Sequence, residues 1–359
     1  MKTHPKDLFE YSFMELTEFL EALGEKPFRA KQLYAWLYGK GVTDLSEMMD
    51  IPAGTREKLL RAARTDALAP ADALRSEDGG TSKFLLKTRD GHFIETVFMK
   101  YKSRNSVCIS TQAGCRMGCV FCASGASGLR RNLTAGEMAL EVILSERLAQ
   151  ARVKNIVLMG IGEPLDNYNE VKRFIENFTD DHGRDLSRRA ITLSTCGIVP
   201  GIDRLAAELS QVNLAVSLHA PNDALRERIM PVARRWTLAE LLAAVERHYE
   251  ATHRRPTFEY ALIEGFNDSP AQAAELAKLL RARNCLVNLI PLNGAEGLSP
   301  YGAGAGAGKP MRGAGEDAAQ RFREILGAHH VPATVRRSLG ADIGAACGQL
   351  RLRREEEVL

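Results

Sequence analysis

No run in this sequence approaches the roughly 18 apolar residues that a membrane-spanning helix needs, and the amino terminus, Met1-Lys-Thr-His-Pro-Lys-Asp7, lacks the apolar core of a secretion signal. A cytoplasmic protein is therefore expected. Cysteine is too sparse and too odd in number for a disulfide framework: seven in 359 residues point to metal or redox chemistry instead. A strong charge of one sign is missing as well. The 48 Lys and Arg against 45 Asp and Glu leave a net charge of +3, which by itself says little about nucleic acid. Nor is there a phosphate-binding P-loop. The one low-complexity stretch, Gly302 to Gly308, leads into Lys309-Pro310, whereas Ser or Thr would have to follow the lysine, and no strand feeds it. It reads as a flexible loop. What remains is an ordinary globular composition, 45% hydrophobic and 26% charged, long enough for one large α/β domain and a small accessory one.

Against that background the spacing Cys115-x₃-Cys119-x₂-Cys122 stands out, inside Gly114-Cys-Arg-Met-Gly-Cys-Val-Phe-Cys122. Iron-sulfur clusters and closed structural zinc sites normally take four protein ligands, so three thiolates leave one metal position open. Two readings stay open from spacing alone: a 4Fe-4S cluster whose fourth iron binds a substrate, or a zinc site completed by Cys108. Gly114 and Gly118 supply the backbone freedom a tight loop around a metal needs.

Residues 7 to 65 carry apolar side chains at helical spacing, with Leu8, Phe9, Phe13, Leu16, Phe19 and Leu20 in one helix, Phe28 to Leu37 in a second and Arg56 to Ala63 in a third. This helical module is expected to have its own small core. Ala69-Pro-Ala marks a boundary, and Phe84 to Lys87 with Phe93 to Phe98 reads as a hairpin turning at Asp90-Gly91. From residue 106 onward six β-branched runs alternate with helical patterns: Val107 to Thr111, Asn155 to Met159, Ala190 to Ser194, Val212 to Leu218, Thr257 to Ile263 and Leu286 to Ile290. Thr134 with Glu137 and Thr237 with Glu240 are capping boxes that open two of the helices. The reading is an α/β chain: a helical domain over residues 1–70, a connecting β-hairpin over 71–105, and a partial (β/α)₆ barrel over 106–359, with reactive groups at the carboxyl ends of its strands.

Met159-Gly-Ile-Gly-Glu-Pro164 ends the second of these strands. Its glycines permit close approach of a ligand, and Glu163 offers a carboxylate to a ligand ammonium. Ser194, Ser217-Leu218-His219 and Asn293 also fall at or just after strand ends. Cys347 lies among small residues in Gly340-Ala-Asp-Ile-Gly-Ala-Ala-Cys-Gly-Gln-Leu350, which would leave its sulfur accessible, while Cys196 and Cys285 read as packing residues. Basic clusters recur at Arg130-Arg131, Arg184 to Arg189, Arg226 to Arg235, His253 to Arg255, Arg336-Arg337 and Arg351 to Arg354. Each alone reads as a solvated face; their number is compatible with an RNA-sized partner.

These residues together resemble the RlmN-type RNA methyltransferases, a radical S-adenosylmethionine (SAM) family. The resemblance is carried by Gly24-Glu-Lys-Pro-Phe-Arg-Ala-Lys-Gln32, Val107 to Cys115, Arg131-Asn-Leu-Thr134, Met159 to Leu165, Ser217-Leu-His-Ala-Pro-Asn222 and Ala345-Ala-Cys-Gly-Gln-Leu350. It implies the radical SAM form of the partial barrel and an RNA-binding role for the helical domain. It also implies formation of 2-methyladenosine in 23S rRNA and tRNA, with a 4Fe-4S cluster on Cys115, Cys119 and Cys122 and SAM lined by Gly162, Glu163, Ser194, Ser217, Leu218, His219 and Asn293. Two SAM molecules are implied per turnover, one methylating Cys347 and a second being cleaved reductively to a radical that takes a hydrogen from the new S-methyl group. Glu95 then matches the proton acceptor and Cys108 the residue that resolves the covalent RNA adduct through a transient disulfide with Cys347. An electron donor such as flavodoxin and a monomeric chain follow from the same likeness. Cfr-type enzymes, which methylate adenosine at C8, share the mechanism, and Pro164 favours the RlmN type. A metal-stabilised RNA-binding protein without catalysis is the alternative of another class. After Pro291 the chain departs from the family's usual sequence, which bears on the choice of RNA.

Overall fold

The structure, a computed structural model, describes residues 6–126, 128–292, 311–336 and 339–345. Asp7 caps a short 3₁₀ turn, Leu8–Glu10, and Ser12 with Glu15 forms a capping box for α1 (Phe13–Ala22). α2 (Phe28–Tyr34) runs on into a π-helical turn, Ala35–Lys40, stopped by Gly41 at φ +70°, and α3 (Ala53–Ala62) completes the module. The expected separate core is not what forms. Leu8, Phe9, Leu16, Leu33, Tyr34 and Tyr38 belong to the same buried cluster as the helices and strands of the rest of the chain. Buried tyrosine hydroxyls need partners: Tyr38 Oη donates to the Phe9 carbonyl within the module (2.6 Å) and accepts from Asn177 Nδ2 across the junction (3.1 Å).

The next three strands, β1 (Leu68–Arg75), β2 (Thr81–Thr88) and β3 (Phe93–Lys100), form an antiparallel meander. The β2–β3 hairpin turns at Asp90-Gly91 as expected, with Gly91 at φ +93°. The sequence marks the start of β1 as a boundary, yet the strand pairs with β2 along its length. Pro70 is tolerated there because β1 is the sheet's edge and the register slips between Pro70 and Asp72. β4 (Asn105–Cys108) then pairs antiparallel with β3 and starts the parallel part of the sheet.

β5 (Gln112–Gly114) and β6 (Leu129–Asn132), with the single turn α4 (Ala123–Ala126) between them, form a two-stranded ribbon that brackets the cysteine loop. α5 (Ala135–Ala149), capped by Thr134 and Glu137, leads to β7 (Asn155–Leu158) and α6 (Tyr168–Thr179). The alternation continues through β8 (Ile191–Thr195), α7 (Val199–Glu208), β9 (Asn213–Ser217), α8 (Asp223–Ile229), α9 (Leu238–Thr252), β10 (Thr257–Leu262), α10 (Pro270–Leu280), β11 (Leu286–Pro291), α11 (Glu316–Ala328) and β12 (Ala333–Val335). Among the described residues seven strands, β4, β7, β8, β9, β10, β11 and β12, are parallel and lie in sequence order; six were expected, and the seventh is only three residues long. All ten main-sheet strands share one sheet.

Several arginines from the basic clusters are used inside the fold. Arg184 pairs with buried Glu146, Arg131 binds both Asp90 and Glu137, Arg254 binds Asn213, and Arg226 is wholly buried. Counting charges along the sequence therefore overstates the basic surface.

Candidate active site

The cysteine loop is held in place by backbone contacts on both sides. Gly114 sits at φ +80°, and a Cβ there would fall 1.9 Å from the Gly128 carbonyl oxygen, so only glycine fits. Cys115 N–H donates to that same carbonyl (3.1 Å), and Val120 N–H donates to Ile229 at the end of α8 (3.0 Å). Gln112 Nε2 bridges Asn132 and Asp166 at 2.8 Å each, and Arg116 Nε also reaches Asp166 at 2.8 Å. These bonds tie the loop to the end of β7.

Cys115, Cys119 and Cys122 face a cavity whose other walls are the carboxyl ends of successive parallel strands. β7 contributes Met159, Gly160, Gly162 and Glu163; β8 contributes Ser194, Thr195 and Cys196; β9 contributes Ser217 and His219. β10 and β11 close the far side with Glu259, Ala261 and Ile290. Strand ends from β7 to β11 can line one cavity only if the sheet curls, which is the partial barrel.

Inside this cavity Glu163 is fully engaged. Its Oε2 accepts from Cys196 N–H (2.7 Å), its Oε1 from Leu165 N–H (3.0 Å), and burial raises its carboxyl above the ordinary carboxylate range. The Cys196 thiol and the Thr195 hydroxyl also hydrogen-bond this carboxyl. His219, at φ +56°, accepts from Ala261 N–H at Nδ1 (2.9 Å), so its proton sits on Nε2; burial and then the nearby Arg226 push its pKa down to about 3, leaving a neutral ring. Phe121 of the cysteine loop meets that ring edge to face at 4.8 Å.

The three thiols fit a cluster better than a single ion. Among the described residues only Asp180, Asp181 and His182 bring three metal-binding atoms within 4.8 Å of one another, so at least one pair of the cysteine sulfurs stands wider apart than the ~3.8 Å that four 2.3 Å bonds to one zinc would set. Cys108 does not line this cavity, which also counts against it as a fourth zinc ligand. Burial pushes the Cys115 thiol up to about 12, with Cys122 and Glu163 adding to the rise, and burial likewise raises the Cys119 thiol well above its ordinary value. Such thiols become thiolates only when a cation supplies the missing positive charge.

A second group of residues lies beside the cavity on the same sheet. Directly opposed residues share a face, as do residues two apart on a strand. The pairs Lys83–Val97, Val97–Cys108 and Cys108–Val157 therefore put Lys83, Glu95, Val97, Met99, Cys108 and Val157 on one face. Residues 339–345 cover it: Leu339, Ile343 and Ala345 pack with Val97, Met99 and Cys108. Met159 belongs both to this patch and to the cavity wall, which makes the two regions neighbours.

Of the residues singled out from sequence, Cys115, Cys119, Cys122, Gly162, Glu163, Ser194, Ser217 and His219 come together at the cavity, and Glu95 and Cys108 lie on the adjoining face. Leu218 differs: its side chain is in the main core, and only its backbone serves the site. Asn293, Cys347 and the Gly302 to Gly308 loop lie outside the described residues. No two cysteines among the described residues are disulfide-bonded. Three residues escape the sequence pattern. Cys196, expected to be a packing residue, lines the cavity and holds Glu163 through its N–H; its place just past a strand end was the available signal. Arg226 is buried and donates to the carbonyls of Cys196 (2.7 Å), Leu218 (3.2 Å) and Ser217 (3.3 Å), binding the ends of β8 and β9 together. Lys83 forms a buried ion pair with Glu95, Nζ to Oε1 3.1 Å.

Comparison with known proteins adds three findings. Residues 6–64 match the ribosomal RNA large subunit methyltransferase N-terminal domain, and residues 109–277 match the radical SAM superfamily. The chain is 43% identical over 346 residues to a probable dual-specificity RNA methyltransferase RlmN of Clostridium novyi, spanning 96% of this chain and 98% of that one. A counterpart from Symbiobacterium thermophilum is 45% identical over 348 residues, 96% of this chain and 91% of its own. In structure the chain is similar to a radical SAM methyltransferase from Sphaerobacter thermophilus, with a TM-score of 0.91, 45% identity and coverage of 97% of this chain and all of that one.

Proposed function

The chain belongs to the RlmN family of dual-specificity RNA methyltransferases within the radical SAM superfamily, and from that premise we propose that it methylates C2 of adenosine in 23S rRNA and in tRNA. The observation that carries this reading is the adjacency of two regions: a cavity walled by three thiols and strand ends, and the Glu95–Cys108 face, over which the segment leading to Cys347 is laid.

Membership of the superfamily implies a 4Fe-4S cluster and SAM. A cluster on Cys115, Cys119 and Cys122, with SAM at its open iron, would supply the reductive bond cleavage that activates an unreactive C–H bond. The chain's own residues do the rest. Gly160 and Gly162 let the end of β7 lie against Ile109 to Gln112, where an added Cβ would fall 2.6 and 2.7 Å from the nearest atom, and the Glu163 carboxylate would accept from a ligand ammonium. His219 donates from Nε2, and the hydroxyls of Ser194 and Ser217 are placed for a ribose. Asn293 would complete the set.

In this reading Cys347 carries the methyl group, and two SAM molecules are used per turnover. Adenine C2 is electron-poor and a weak nucleophile, so direct displacement on a methyl sulfonium would fail; addition of a carbon-centred radical from Cys347 would not. Glu95 would accept the C2 proton of the covalent adduct as its unpaired electron passes to the cluster, and Cys108 would attack the Cys347 sulfur, forming a disulfide while the C–S bond breaks and the methylene carbon takes up a proton to become the methyl group. Residues 1–70 would act as an RNA-binding accessory domain, 71–105 as the connection and 106–359 as the catalytic barrel, working as a monomer with an electron donor such as flavodoxin. No helix among the described residues is long and apolar enough to cross a membrane.

The test is anaerobic reconstitution with iron and sulfide, expected to give about four irons per chain, followed by reaction with rRNA and tRNA and mass spectrometry of the nucleosides. 2-Methyladenosine supports the reading. 8-Methyladenosine would reassign the chemistry, and no methylated adenosine from cluster-loaded enzyme would end it.

A further inference from the structure

The buried ion pair of Lys83 and Glu95 has a third member. Lys83 Nζ, 3.1 Å from Glu95 Oε1, also donates to the carbonyl oxygen of Gly344 at 3.2 Å. Gly344 stands three residues before Cys347. The Lys83 side chain is 6% exposed and that of Glu95 4%, so the ammonium has little water to turn to and its partners are set by the fold.

The segment it touches is a compact turn. Ala345 N–H donates to the Gly340 carbonyl (2.8 Å), Gly344 N–H to Ala341 (3.2 Å) and Ile343 N–H to Gly340 (3.3 Å). Gly340, at φ +66°, lies against Thr81 of β2, and Asp342 accepts from Glu77 N–H at 2.9 Å. Apolar packing of Leu339, Ile343 and Ala345 on Val97, Met99 and Cys108 seats the turn without fixing its direction, because such contacts are non-directional. A charge-assisted hydrogen bond from one ammonium to both a carboxylate and the turn's carbonyl does fix it.

We infer that Lys83 is a positioning residue: it sets the Glu95 carboxylate and the Gly340–Ala345 turn, which ends two residues before Cys347 in the sequence, in one arrangement on the face that holds Glu95 and Cys108. The inference rests on the roles proposed for Glu95 and Cys347, and it adds a residue to which neither the sequence pattern nor the comparisons assign a part. Lysine suits the place. A methionine is one atom shorter and carries no charge, while an arginine has a planar fork that one carboxylate oxygen and one carbonyl do not match.

Hydrogen exchange followed by mass spectrometry, on the full chain without RNA, reads the seat directly. Lys83→Met is expected to speed exchange at the amides of residues 343–345 about tenfold while leaving exchange in α9 and α10 unchanged. If loss of the ammonium beside Glu95 prevents folding, Lys83→Met combined with Glu95→Gln removes the buried carboxylate charge and should show the same local acceleration. Wild-type exchange at 343–345 in a folded Lys83→Met protein overturns the inference and leaves the functional reading untouched. Failure of the wild-type enzyme to methylate RNA ends the functional reading and leaves the exchange result standing. Under turnover, the folded variant should lose RNA methylation at least tenfold while cluster content stays at the wild-type level; a parallel loss of cluster would mark a merely structural role.

Discussion

The backbone N–H of Cys196 donates to Oε2 of Glu163 over 2.7 Å, and this one bond joins the end of β8 to the end of β7 across the candidate SAM site. The partner oxygen is held by Leu165 N–H at 3.0 Å, so the carboxylate cannot rotate. Its position is set before any ligand arrives, which lowers the ordering cost of binding.

Glu163→Ala removes both acceptors and leaves two buried amides without a partner. The expected cost is roughly 1–3 kcal/mol of stability, read by urea denaturation, together with at least a tenfold loss of SAM affinity in equilibrium dialysis on the cluster-loaded protein. Wild-type affinity in a correctly folded variant would remove Glu163 from the ligand site.

Gly114 makes a different kind of demand. Its φ of +80°, and the 1.9 Å that would separate an added Cβ from the Gly128 carbonyl oxygen, leave no room for any side chain. Gly114→Ala should therefore cost at least about 2 kcal/mol and displace Cys115 from its hydrogen bond to Gly128. Iron analysis after reconstitution is the check: wild type should hold about four irons per chain and the variant less than half as much. A fully loaded variant would show that the loop tolerates another path.

The legibility of these residues in the sequence depends on how far away their partners lie. The parallel strands are readable because they are short runs rich in apolar, β-branched residues, as in Ile156-Val-Leu158 of β7. The cysteine loop, Glu163, Ser217 and His219 are readable because spacing or a place just past a strand end marks them. β1 is hidden by Pro70, which signals a break unless the strand is known to be an edge, and β12 is too short to show a period. Lys83 and Arg226 look like any surface cation. Their partners are fixed by register and by the curl of the sheet: Gly344 is 261 residues from Lys83, and Cys196 is 30 from Arg226. No local pattern carries such pairings.

Arg226 offers a direct test of that long-range assembly. Its guanidinium serves three carbonyls, at Cys196, Leu218 and Ser217, in a site with no water to replace it. Arg226→Met should cost at least about 2 kcal/mol and loosen both strand ends that present Ser194, Ser217 and His219. Arg226→Lys keeps the charge but cannot span three acceptors, so it should fall between wild type and methionine. Denaturation curves and SAM affinity measured on the same three proteins should rank in that order; a lysine variant equal to wild type in both would show that charge alone suffices.

His248 on α9 lies far from this chemistry in its interactions and gives a prediction of opposite sign. It is buried, and neither ring nitrogen has a hydrogen-bond partner. Burial, with Arg254 adding to it, pushes its pKa down to about 4, against 6.5 for the unfolded chain. Between these values the unfolded chain binds the proton and the fold does not, so its contribution to stability is present above 6.5 and is lost as pH falls toward 4. His248→Leu removes two unsatisfied polar atoms and the titration together. At pH 7.5 the variant should be more stable than wild type by roughly 1–3 kcal/mol, and at pH 5 the margin should widen by about 1–2 kcal/mol. His219, depressed to about 3, acts in the same direction but is present in both proteins, so it cancels from the margin. Urea denaturation at the two pH values decides it: a margin that narrows at pH 5 would mean that the ring is charged or hydrogen-bonded in the fold.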